Sequence, residues 1–137
     1  MKKQLFAVAI LGLLMTAVSA YAQTIRMKAD VPFNFIVDRA TLPAGAYTIE
    51  SAGVADALLI RDADGQAKRV VMPNHCESNQ PAGQTKLVFR KYGDRYFLSQ
   101  VWIEGNTLGH EFPKSSRETE VARDFTAQEV VLVASLR

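Results

Sequence analysis

The chain has 137 residues, of which 48% are hydrophobic and 22% charged, with a formal net charge of +2 and one cysteine. That length suits one domain with one core, and a single cysteine excludes an internal disulfide. Bases alternate with acids, as in Arg61-Asp62, which argues against the clustered basic surface that nucleic-acid binding requires.

The N-terminal segment reads first. Met1-Lys2-Lys3 is a basic start, and Leu5 to Val18 is apolar apart from Gly12 and Thr16. Ala20 and Ala22 place small residues where a signal peptidase reads. This is the layout of a secretory signal peptide cut after Ala22. The apolar stretch falls short of the roughly twenty residues of a membrane-spanning helix. The expected organisation is a signal peptide at 1–22 and one β domain at 23–137. Cleavage removes Lys2 and Lys3 and no acid, so 16 bases become 14 against 14 acids and the net charge falls to zero. The expected location is the periplasm or exterior of a bacterial cell. No membrane span is expected in the mature chain.

From Ile25 to Val37 apolar residues occupy the odd positions, the period of a strand with one buried face. Pro32 cannot donate to a ladder and should mark an edge, a bulge or a break. Leu42-Pro43-Ala44-Gly45 reads as a turn, followed by a strand over 46–51. Residues 57–61 and 68–72 flank Asp62-Ala63-Asp64-Gly65 as a hairpin. Residues 74–84 read as a polar loop. A second hairpin joins 85–91 to 95–104 through Tyr92-Gly93-Asp94, and Gly105-Asn106 turns the chain into 107–112. Ser115 and Glu118 have the spacing of a capping box, which predicts a short helix over 116–123. A Val-rich strand over 129–136 ends the chain.

Short connections between about eight strands suggest an antiparallel meander. The expected fold is all-β, a small barrel or barrel-like sheet with the last strand closing on the first, with a β-sandwich as the alternative. Strict alternation puts Phe97, Ser99, Val101 and Ile103 on one face of 95–104, and Tyr96, Leu98, Gln100 and Trp102 on the other. The last strand likewise sets Val131 and Val133 against Val130, Leu132 and Leu136. Strands apolar on both faces need cover on both.

Val31-Pro32-Phe33-Asn34-Phe35, Leu42 to Ile49, Leu87-Val88-Phe89, Tyr92-Gly93-Asp94 and Tyr96-Phe97-Leu98-Ser99 together resemble a family of small secreted proteins of acidobacteria. The resemblance covers most of the chain after residue 22. It implies export and a compact β domain and assigns no activity.

Chemistry-bearing residues are few. His75 and Glu77 share one side of an extended segment, so with His110 they are candidate metal ligands; Cys76 points the other way. Asp62-Ala63-Asp64-Gly65 lacks the distal Glu of a calcium loop, and no nucleophile-elbow pattern is present. No catalytic residue and no cofactor is expected. Tyr92, Tyr96, Trp102, Val131 and Val133 are the candidate interaction surface, with Tyr92 the most exposed because it sits in a turn. The expected function is an exported, non-enzymatic envelope protein with a structural or interaction role, partnered by a second copy or an envelope protein. One alternative is a carrier holding a small apolar ligand in the barrel interior. Another is a metal-binding protein or enzyme using His75 and His110.

Overall fold

The computed structural model describes residues 26–53 and 56–136; the expected signal peptide lies outside them. The described residues form twelve strands and one helix. In chain order these begin with β1 (Arg26–Val31), β2 (Phe35–Val37), β3 (Ala40–Leu42), β4 (Gly45–Ser51), β5 (Leu58–Arg61) and β6 (Ala67–Val71). They continue with β7 (Asn74–Glu77), β8 (Lys86–Tyr92), β9 (Arg95–Trp102), β10 (Leu108–Glu111), helix α1 (Ser116–Val121), β11 (Gln128–Val133) and β12 (Ser135–Leu136).

The strands make two sheets, one ordered β12-β1-β4-β5-β6 and the other β11-β8-β9-β10-β7, with the β2–β3 hairpin attached to β9. The all-β expectation holds and its sandwich alternative fits: two sheets form, and among the described residues no ladder joins them into a closed barrel. Nor is the chain a simple meander, because β2 runs parallel to β9. The chain itself crosses between the sheets four times, after β1, β3, β6 and β11. Met72-Pro73 leads from β6 in one sheet to β7 in the other. Ala134 separates β11 from β12, and its N–H bonds to the Thr85 carbonyl at 2.9 Å. β12 then pairs antiparallel with β1, so the last strand does meet the first.

The local readings explain most of the elements. Met27, Ala29 and Val31 are buried in alternation, and the strand stops at Pro32. In the 62–65 turn, Asp62 Oδ1 accepts the backbone N–H groups of Asp64 and Gln66, and Gly65 has φ +80°. Gly93 and Gly105 also take positive φ in their turns. The segment expected as loop from 74 differs: Asn74–Glu77 is β7, paired with β10. Its alternating polar residues carry no apolar period to read, and only the partner strand makes it a strand.

Between the sheets lies the main core, where Met27, Tyr47, Ile49, Leu58, Ile60, Leu87, Phe89 and Val101 pack together. Fully burying one such side chain is worth about 1.5–3 kcal/mol. A second, smaller cluster lies on the outer face of the β8–β9 sheet, where Val121 of α1 covers Ile36, Tyr92 and Phe97. The helix is thus the cover that the doubly apolar β9 needed.

A bulge decides which β9 residues face where. Val88 lies opposite Gln100 but Phe89 lies opposite Leu98, so Ser99 is an extra residue and the alternation slips by one. Leu98 and Val101 both face the inter-sheet core, with Tyr96 and Ile103 packed against it. Phe97 faces outward under the helix. The faces expected from strict alternation are therefore wrong beyond Ser99.

Candidate functional site

The densest polar arrangement among the described residues lies under α1. Ser115 caps the helix, its hydroxyl accepting the Glu118 N–H at 3.2 Å. The other half of the capping box is not made. The Glu118 side chain turns into the sheet instead, where it is 2% exposed. Arg90 of β8 donates to it twice, Nε to Oε2 at 2.5 Å and Nη2 to Oε1 at 3.1 Å. The Tyr92 hydroxyl donates to Oε2 at 2.8 Å. Arg90 also reaches the Ser99 hydroxyl at 2.7 Å and the Phe112 carbonyl at 3.2 Å. The Ser99 carbonyl in turn accepts the Phe112 N–H at 2.8 Å. The bulge residue thus serves both the guanidinium and the strand end.

Burial, then the Glu118 hydrogen bond and charge, push the Tyr92 phenol above the ordinary tyrosine value. This corrects the expected exposure of Tyr92, which is 2% accessible despite standing at the turn. The cluster is internally satisfied: the carboxylate has three donors and the guanidinium is shared among Glu118, Ser99 and Phe112. Such an arrangement fixes the helix on the sheet, and it presents no free nucleophile or base.

Beside this cluster is a crevice of about 330 Å³. Its origin lies in the edge of β9. At Tyr96 and Phe97 that edge pairs with β2 in parallel, and at Gln100 and Val101 it pairs with β10 antiparallel. The two neighbours run toward each other and stop, leaving a gap beside Leu98. Phe97 and Leu98 line the crevice, Ile36 and Phe112 flank it from the two strand ends, and Val70 and Met72 stand at its rim. Asp38 and Glu118 also border it. Each is paired with an arginine, Asp38 with Arg69 at 2.5 Å and Glu118 with Arg90.

The candidate metal ligands separate into a pair and an outlier. His75 and His110 lie directly opposite in the β7–β10 ladder, with ring centroids 5.6 Å apart. Glu77 stands opposite Leu108, two residues along. The nearest acid is one that the sequence did not point to, Asp56, whose Oδ2 is 3.0 Å from His75 Nε2. Among the described residues, no group of three or more His, Cys, Asp or Glu is arranged to hold a metal ion. Burial, then the neighbouring His75, lower the His110 pKa, against the opposing pull of Asp56. His110 Nδ1 is buried without a hydrogen-bond partner. Cys76 lies opposite Gly109, and burial, then Glu111, raise its thiol pKa.

The remaining candidate surface residues divide as well. Trp102 is buried; its indole lies on Gly109, and Nε1 donates to Gln100 at 2.8 Å. Tyr96 is half-buried and stacks on Phe33 with centroids 3.8 Å apart, while Lys91 Nζ lies 5.3 Å from its ring centre. These three aromatics therefore form no shared platform for a sugar or a partner. Val131 and Val133 are exposed.

Among the described residues no helix is long and apolar enough to cross a membrane. No protein-family model, no curated protein and no solved structure matches the chain.

Proposed function

We propose that the chain is exported and that its mature part is a non-enzymatic β-sandwich protein of the periplasm or cell exterior. Its role is structural or interactive, and its contact face is the β11 edge. The observation that carries this reading is the pairing of that strand. Among the described residues β11 has a ladder partner, β8, on one side only. Val131 and Val133 stand on it exposed, Val133 by 62%, and Leu136 continues the apolar line on β12. An edge strand with open backbone groups and exposed apolar side chains favours pairing with another chain. The basic start, apolar run and small residues of 1–22 support export, as does the resemblance to small secreted acidobacterial proteins.

Two measurements test the reading. Fractionation of expressing cells should recover a chain beginning at Gln23 outside the cytoplasm; an uncleaved cytoplasmic chain overturns export. Light scattering on the purified protein should show a concentration-dependent dimer that Val133→Lys abolishes without loss of fold. A monomer at every concentration, with no envelope partner cross-linked through position 133, removes the interaction role.

A further inference from the structure

We infer that the crevice beside Leu98 is a binding site for one small, uncharged molecule that carries both apolar and hydrogen-bonding groups. The inference is independent of the β11 edge and relocates the carrier idea, since the space between the sheets is filled by side chains such as Phe89, Tyr47 and Met27. Three observations carry it. The first is shape. The crevice arises from a break in the strand row, where β2 and β10 meet end to end on one edge of β9. Regular sheet would have filled that position, and breaks of this kind form recessed sites on otherwise continuous surfaces. Its volume, about 330 Å³, stands at the lower end of the roughly 300–1,000 Å³ of small-molecule sites.

The second observation is chemistry. The lining is mixed: Ile36, Phe97, Leu98, Phe112 and Pro113 are apolar, and Asp38, Ser115 and Glu118 give it polar surface of about equal extent. The two bordering carboxylates are each neutralised by an arginine. A charged ligand would thus find no free counter-charge there, and it would lose its hydration on entry. An uncharged ligand loses little, and one with both an apolar face and a hydrogen-bonding group matches both parts of the lining.

The third is the rim. Met72 is 61% exposed and Val70 is similarly open. These apolar side chains stand over the crevice mouth with water on their outer side, where the apolar face of a bound molecule would cover them. Met72 is unbranched and adaptable, which suits a rim that closes on ligands of differing shape.

The test uses the purified protein and N-phenyl-1-naphthylamine, an uncharged aromatic probe whose fluorescence rises in apolar surroundings. The expected result is saturable binding at one probe per chain, weakened about tenfold or more by Val70→Glu and by Met72→Glu. Both positions are exposed, so both variants should keep their fold, checked by circular dichroism. Val133→Lys, on the other edge of the sandwich, should bind as the parent does. Absence of saturable binding, or binding unchanged in both rim variants, overturns the inference. A dimer lost in Met72→Glu with no probe binding also overturns it, and would make the rim a contact between copies. Because the dimer reading is tested at position 133, failure of one proposal leaves the other standing.

Discussion

Glu118 of α1 and Arg90 of β8 lie 28 residues apart in the chain and meet as a two-point ion pair beneath the helix. The helix has six residues, too few to hold itself in water. Its position on the sheet therefore depends on this pair together with Val121 over Phe97 and Tyr92.

The first prediction concerns that pair. Glu118→Ala leaves the Arg90 guanidinium buried beside Ser99 without its counter-charge. Breaking a buried pair in this way costs about 3–5 kcal/mol, read as a lower urea midpoint. The double change Arg90→Met with Glu118→Leu removes both charges and should recover most of that loss. A Glu118→Ala variant as stable as the parent would show that the pair does not hold the helix.

Tyr92→Phe removes one donor from the same carboxylate. A hydrogen bond to a charged group is worth about 1.5–3 kcal/mol, so stability at neutral pH should fall by that order. The raised Tyr92 pKa adds a pH signature. The unfolded phenol loses its proton near pH 10, while the folded one still holds it. Stability should therefore fall as pH rises above about 10. Denaturation at stepped alkaline pH should show a smaller fall in Tyr92→Phe than in the parent.

Gly109→Ala tests the contact beneath the only tryptophan. A Cβ at position 109 would lie 2.8 Å from Trp102 Cδ2, closer than packed carbons allow. The indole must move or β10 must shift, at a cost of about 1–3 kcal/mol. The expected outcome is a lower melting temperature together with a red shift of tryptophan emission as Trp102 gains solvent.

His110 makes the β7–β10 contact sensitive to acid. Its folded pKa is depressed by burial, then by His75, so the unfolded chain takes up the proton first. Stability from this site is present above the unfolded histidine value of about 6.5. It is lost as pH falls from there through the lowered folded value. Melting temperatures between pH 7.5 and 5 should decline less in His110→Gln than in the parent. Equal declines would show that His110 does not titrate as described.

Much of the chain's local structure could be read directly. The alternation of Met27, Ala29 and Val31, the break at Pro32, the Asp62–Gly65 and Tyr92–Asp94 turns and the Ser115 cap all depend on residues within a few positions of one another. The candidate sites were read less well. Tyr92 looked exposed because turns usually are, but helix α1, more than twenty residues later, folds back over it. Glu118 looked like a capping residue because its spacing from Ser115 is right, yet Arg90 offers a stronger charge-assisted partner. The pairing of His75 with His110 depends on a β7–β10 register that no local pattern encodes, and Asp56 joins them through a loop.

Taken alone, then, the sequence determined the β class, the turns and the helix start, because propensity, period and capping act over short range. Tertiary structure alone decided the sandwich over the barrel, the cover on β9 and the crevice beside Leu98. The physical reason is that each depends on pairing between distant segments, as β2 and β10 on the edge of β9 show, and the extra residue at Ser99 is a further case. Inserted into β9, it exchanges the faces of everything beyond it, and whether a strand accepts such a bulge depends on the partner strand opposite, not on its own residues.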